Sequence, residues 1–334
     1  MIKQLSLNLA AQFVPLLFKA QSNQHLSILI YHRVLAQHDP MSPDQPTIQW
    51  FDAQMRLLRN HFHPLPLLEA LERVYAGTLP ARAICVTFDD GYADNELYAL
   101  PVLKRYHIPA TVFVSTGFLN GGRMWNDSII ETIRNFKGQK LDLSDLDLGY
   151  YSLDSIAERL TTIESIIRRI KHLDPQFRST LVREIEKRVT FLPNDLMLTD
   201  EQVRSLARNG VSIGAHTVNH PILCSVSSEI ARREIRESKL YLEDLLQGSI
   251  DLFAYPNGKR DLDYRDEHRD IVKELGFKAA VSTHWGVSTS ESDRFQLPRF
   301  TPWDRGELRF AIRLLTGHRQ VDPLIGRQAL QSDT

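Results

Sequence analysis

Apolar positions along this chain follow two alternating rhythms. Short, β-branched apolar runs occupy residues 27–34, 83–88, 110–114, 211–215, 252–256, 278–282 and 296–300. Runs of this length and composition mark strands buried in a core. Between them the apolar residues fall at helical spacing. Residues 50–61 carry Phe51, Met55 and Leu58 on one stripe, with Asp52 near the start. Residues 67–75, 95–106, 227–246, 266–275 and 306–315 also read as helices, and a helix opened by the capping residue Thr199 stops at Asn209-Gly210. Residues 36–49 are rich in Pro, Asp and Gln and read as a loop, and 117–122 is a turn-rich break. Strand, helix, strand in regular alternation predicts an α/β fold with a parallel sheet.

Two segments break the alternation. From about 124 to 198 the chain is charged and helical, with amphipathic spacing at 163–170 and 181–189, and no strand run is evident. This predicts a helical insertion in a single domain that occupies 1–334 with its core at about 27–316. The other segment is the N-terminus. Residues 5–18 are apolar-rich between Lys3 and Lys19, too short and too polar to span a bilayer. An amphipathic first helix, packed on the domain or in peripheral contact with a membrane surface, is the favoured reading, and with it a cytoplasmic location. A weak signal peptide and export are the alternative, although Asn8 and Gln12 interrupt the stretch and no clean cleavage site follows.

Composition narrows the function. An apolar fraction of 43% and a charged fraction of 24% over 334 residues describe a globular protein with ample core material. A net charge of −1 and no basic run argue against a partner held by phosphate contacts, so no nucleic acid is expected. Two cysteines, Cys85 and Cys224, are too few for a disulfide framework, and Cys85 lies inside an apolar run as a small buried hydrophobe. No Gly-x-Ser-x-Gly elbow is present, which argues against a serine hydrolase.

The chemistry gathers at the C-terminal ends of the predicted strands. His32 ends the first run; Asp89 and Asp90 follow the second; His216 and His220 follow 211–215; Asn257 follows 252–256. In a parallel barrel these ends form one rim, where active sites lie. Adjacent carboxylates at the end of a core strand repel each other, and a cation is the simplest remedy. Asp90-Gly91 also suits a hairpin turn, and taken alone the stretch leaves both readings open. The histidines decide between them, since two imidazoles one helical turn apart can face one ion together with a carboxylate. No internal repeat is apparent.

Thr87-Phe88-Asp89-Asp90-Gly91, then His216-Thr217-Val218-Asn219-His220, then Phe253-Ala254-Tyr255-Pro256-Asn257-Gly258 resemble the motifs of the polysaccharide deacetylase family, carbohydrate esterase family 4. The resemblance covers about residues 27–299. It implies a distorted (β/α) barrel that removes N-acetyl groups from N-acetylglucosamine units of a polysaccharide or its precursor. By it, Asp90, His216 and His220 hold one divalent metal ion, zinc in most members. Asp89 is the general base and the Asn257 N–H the oxyanion donor. Tyr92 and Tyr255 follow motif residues and are expected to shape the cleft. Two departures stand out. The family arginine that steadies the base is replaced by Ala254, and Arg299 is the candidate to take its place. No late Leu-x-His supplies the general acid, and Ile30-Tyr31-His32 resembles the poly-N-acetylglucosamine deacetylase branch, in which that histidine comes first in the chain. Trp125, Trp285 and Trp303 are candidates to stack on sugar rings. O-deacetylation by the same machinery, and a catalytically impaired carbohydrate-binding protein, are the rival readings; the loss of arginine at 254 favours the latter.

Overall fold

In the strands of this protein, successive residues alternate between two apolar cores, and that alternation decides what reaches the rim. A computed structural model describes residues 25–302 and 304–317. In chain order the elements are β1 (Ser27–Tyr31), α1 (Ile48–His61), β2 (His63–Pro64), α2 (Leu67–Tyr75), β3 (Ala83–Phe88), a π-helical turn (Asn95–Ala99) running into α3 (Leu100–Tyr106), and β4 (Ala110–Val114). There follow α4 (Trp125–Asn135), β5 (Lys140–Leu143), β6 (Gly149–Ser152), α5 (Ile156–Ile170), α6 (Pro175–Glu186), α7 (Asp200–Arg208), β7 (Ser212–Ala215), α8 (Ser228–Leu246), β8 (Leu252–Ala254), α9 (Asp266–Glu274), β9 (Ala279–Val281) and α10 (Glu307–Gly317).

All seven strands of the main sheet run parallel, in the order β1-β3-β4-β7-β8-β9 with β2 beside the start of β3. Ile28, Cys85, Phe113, Leu252, Ala254 and Leu297 point to an inner core that α2 fills with Leu67, Leu71 and Val74. Their neighbours Leu29, Val86, Val112, Ile213 and Phe253 point outward, under α1, α3 and α7 to α10. Both faces are thus apolar, which is why the strands read as continuous apolar runs. The sheet curls into a half-barrel. Residues 296–300 span the gap, with one bridge to β9 through Leu297 and one to β1 through Phe300. The strand expected there is reduced to these two bridges, because Pro298 between them has no N–H to give a ladder.

The segment 124–198, expected as a helical insertion, departs from expectation in one respect. Residues 140–152 form an antiparallel hairpin, β5 with β6. Leu141 and Leu143 alternate with polar neighbours and enter a separate apolar cluster with Ile129, Ile133, Ile163, Ile166 and Ile185. A four-residue alternation framed by charged helices is too short to stand out as a strand. The insertion helices begin earlier than the spacing indicated, because Ser155 closes a capping box and Asp174 caps Pro175 at the first helical position. The predicted N-terminal helix at 5–18 and Trp303 lie outside the described residues. Among the described residues no helix is long and apolar enough to cross a membrane.

Candidate active site

Period-two alternation carries four of the marked residues inward. Ile28, Ile30 and His32 share a parity on β1 and its extension, as do Cys85, Thr87 and Asp89 on β3, and Leu297 and Arg299 on the closing segment. His216 continues β7 with the parity opposite to Ile213 and Ala215, which face outward. His32, Asp89 and His216 meet at the C-terminal mouth of the sheet, in a cleft of about 480 Å³ that is also lined by Asp90, His220 and Asn257, and Arg299 lies buried behind Asp89.

Asp90 has the wrong parity for the cleft, and the backbone corrects it. Its φ of 75° is left-handed, and Gly91 follows at 85°. The chain turns there and brings a second consecutive carboxylate to the same side. A side chain at Gly91 would also press on Val114 Cγ1, at 3.2 Å. The two histidines meet through a loop and not through the helical turn that their spacing indicated. Thr217 and His220 both adopt positive φ, 65° and 50°. The Thr217 hydroxyl donates to the His216 carbonyl (2.5 Å) and accepts from the His220 N–H (3.1 Å). From α8, Glu234 accepts the N–H groups of Val218 (3.0 Å) and Asn219 (2.7 Å) and the Asn219 side-chain amide (2.8 Å). The imidazole centroids end 4.7 Å apart.

Asp90 Oδ1 lies 3.4 Å from Nε2 of His216 and 3.4 Å from Nε2 of His220. These separations are long for an N–H···O hydrogen bond. They match the edge of a tetrahedron, about 3.3 Å, whose centre is ~2.0–2.1 Å from each donor. The three ligand atoms all fall within 4.8 Å of one another. Nδ1 of His216 sits 2.7 Å from the Ala254 carbonyl, a contact that needs Nδ1 protonated and so leaves the Nε2 lone pair aimed into the cleft. Burial pushes His220 down to about 3, which keeps its imidazole neutral. Burial would push His216 down too, but Asp90 and Asp89 outweigh it and its net shift is upward. One oxygen and two imidazole nitrogens with an open side fit a catalytic divalent cation.

Beside this set, Arg299 grips Asp89 in a fork. Its two terminal nitrogens donate to the two carboxylate oxygens at 2.7 Å each. Its Nε donates to the Ser282 carbonyl (2.8 Å) and one terminal nitrogen also reaches the Thr87 hydroxyl (3.0 Å). Both side chains are fully buried. Burial raises the Asp89 carboxyl, but Arg299 and, after it, His216 outweigh the burial and hold it below the usual carboxylate range. The guanidinium therefore stands at the base, although alanine occupies position 254 in the inner core.

His32 is half-buried in the cleft, near enough for its charge to bear on Asp89 and Asp90. Its carbonyl is held by the Asn95 amide (2.9 Å) at the start of the π-helical turn, an element often found beside functional sites. Asn257 lines the cleft in a left-handed conformation (φ 58°), and its N–H has no acceptor among the described residues. Tyr255 is a correction. Its ring shares the parity of Phe253, stacks on Tyr264 at 3.9 Å in the outer core, and donates to the Phe295 carbonyl (3.0 Å). It therefore packs behind β8 and does not shape the cleft. Trp285 packs against Phe300, whereas Trp125 does stand in the cleft wall.

The spacing argument missed a cluster that the insertion brings over the cleft. Asp127 of α4 is buried there and accepts from the Tyr92 hydroxyl at 3.0 and 3.2 Å. Arg33 lies over the Tyr92 ring at 4.7 Å and pairs with Asp94 at 2.8 Å. Burial pushes the Asp127 carboxyl up to about 7, Arg33 pulls against it, and Asp90 adds to the rise. The signal available in sequence was Asp127 and Glu131, two carboxylates four apart on one face of α4, with Ile129 and Ile133 on the opposite face.

Comparison with known proteins agrees with this geometry. A family model described as "Polysaccharide deacetylase" matches residues 76–142 and 153–280. YxkH of Bacillus subtilis, assigned to the polysaccharide deacetylases, is 22% identical over 283 residues, covering 84% of this chain and 72% of that protein. The poly-β-1,6-N-acetyl-D-glucosamine N-deacetylase of Staphylococcus epidermidis is 27% identical over 181 residues, and the match takes in 50% of this chain and 60% of that relative. The solved structure of IcaB from Ammonifex degensii has the same fold, with a TM-score of 0.56 at 19% identity over 87% of this chain and 98% of that one. With the family model running from the end of α2 into β9 and taking in more than half of its residues, this chain belongs to the polysaccharide deacetylase family.

Proposed function

We propose that this protein removes the acetyl group from N-acetylglucosamine units of a polysaccharide or its precursor, with one divalent cation, zinc, held by Asp90, His216 and His220. The observation that carries the reading is an ionised carboxylate, Asp89, clamped by Arg299 beside an open three-donor set in the same cleft. A sugar-binding surface alone requires neither. The Arg299 clamp also weighs against an impaired scaffold, because it reaches the base from the closing segment. The name of the staphylococcal relative supports an N-acetylglucosamine polymer as the substrate class.

When bound, the cation polarises the acetamide carbonyl and makes the attacking water more acidic. Asp89 takes the proton from that water, and Arg299 keeps its oxygens charged and fixed for the transfer. The free N–H of Asn257 donates to the carbonyl oxygen as it gains charge. His32 gives a proton to the departing amine, which is otherwise a very poor leaving group.

The test is amine release from N-acetylglucosamine oligomers. Chelation is expected to abolish it and added zinc to restore it. In His216→Ala, His220→Ala, elemental analysis should find no stoichiometric metal, and turnover should vanish; full metal occupancy in that variant would sink the ligand assignment. His32→Ala separates the acid from the rest. It should lower turnover on an acetamide by about 10²–10⁴, the range for a lost general acid, and far less on an acetyl ester with a good leaving group. Equal losses on both substrates would instead make His32 a binding or structural residue.

A further inference from the structure

On the far side of Trp125 from the catalytic cleft lies a second cavity. It measures about 700 Å³ and lies between α4, α6 and α8. Trp125 and Arg178 line both cavities, so this stacked pair stands between the two. The Arg178 guanidinium lies 4.7 Å from the centre of the Trp125 ring, and one of its nitrogens donates to the Lys171 carbonyl (2.9 Å). Both are partly or fully buried, so this junction is a built feature and not a loose surface pair.

The second cavity is lined by four arginines against three carboxylates, a net excess of one positive charge. Its three carboxylates are committed. Glu186 pairs with Arg123 (2.8 Å), Glu234 holds the histidine loop, and Asp174 accepts from the N–H groups of Gln176 and Phe177 (3.0 Å each). Arg178, Arg183 and Arg233 also line it, and none of the three has a carboxylate within ion-pair distance among the described residues. On the cleft side of the junction Lys171 is likewise without an acidic partner among the described residues. Phe118, Pro221 and Ile230 supply apolar wall. A wall of this composition accommodates a sugar ring, and the exposed guanidinium groups of Arg183 and Arg233 are open to an oxyanion.

We propose that this cavity is a second subsite for the same glycan, and that it takes an anionic group, a carboxylate or a phosphate, borne by a sugar beyond the one whose acetamide is cut. The inference rests on the deacetylase reading and adds to it a charged substrate class. Arg183 and Arg233 bind the anion, and Trp125 with Arg178 carries the chain between the cavities.

Three probes test it: an N-acetylglucosamine tetrasaccharide, the same tetrasaccharide with one glucuronate unit, and the same with one phosphate monoester. Calorimetric binding to the full chain is read beside the kinetics, so that the subsite is measured even if no probe is deacetylated. At low salt the charged probe that fits should bind about tenfold more tightly than the neutral one, the advantage fading as salt rises. Whichever of the two gains identifies the anion as carboxylate or phosphate. In Arg183→Gln, Arg233→Gln the ratio of charged to neutral affinity should fall to about one, and the loss in turnover should appear in KM and not in kcat. Equal binding of all three probes, no measurable binding of either charged probe, or an affinity ratio that survives the double substitution overturns the proposal. Each of these results leaves the deacetylase reading to be decided by amine release alone.

Discussion

Asp89→Asn is expected to keep its metal and lose about 10²–10⁴ in kcat, the range associated with removal of a positioned general base. The ligand set is untouched, because the donors are Asp90, His216 and His220. An amide fills the same space and still accepts one hydrogen bond from Arg299, but it cannot take a proton from water. KM should move only a few-fold, since the lost interaction belongs to the transition state. Steady-state kinetics together with metal analysis of the same preparation check this. Turnover within a few-fold of the parent would make Asp89 a structural partner of Arg299 and would leave the reaction without its base.

The largest effect on stability is expected from Arg299→Met. Arg299 and Asp89 are both fully buried and joined by two hydrogen bonds. Removing the cation leaves a carboxylate in a low-dielectric site with no charge partner of its own strength, which costs about 3–5 kcal/mol. Thermal unfolding should show a clearly lower midpoint, and Asp89 should titrate upward as burial acts unopposed by its main partner. Activity at neutral pH should fall with it. The double variant Asp89→Asn, Arg299→Met should recover much of the lost stability, because the uncompensated charge has gone. A single variant that melts with the parent would show that the pair contributes nothing. Arg299→Lys should fall between the two, since an ammonium keeps the charge but loses the planar fork.

The amino-acid sequence by itself determined the order of β1, β3, β4, β7, β8 and β9, their parallel arrangement, and which residues follow their ends, whereas the β5–β6 hairpin escaped it. Those properties are local: an apolar run of five residues such as Ser27–Tyr31 reads as a strand wherever it lies. It also determined the facing of His32, Asp89 and Arg299, because each shares the period-two parity of an inner-core residue on its own segment. The same rule, followed through Phe253, places Tyr255 outside the cleft. Only the tertiary structure decided the rest. Asp90 and His220 reach the site through left-handed backbone that breaks the alternation; Asp90-Gly91 carries a turn signal, but local spacing does not say where the turn sends the carboxylate, and no such signal marks Thr217 or His220. Arg299 stands 210 positions from Asp89, and the two meet because the sheet curls until residues 296–300 lie beside β1. Trp125 and Asp127 belong to the segment 124–198, whose own core is separate, and the second cavity lies between that segment and α8. The segment's placement over the rim depends on packing between elements distant in the chain, and periodicity within any one of them carries no record of it.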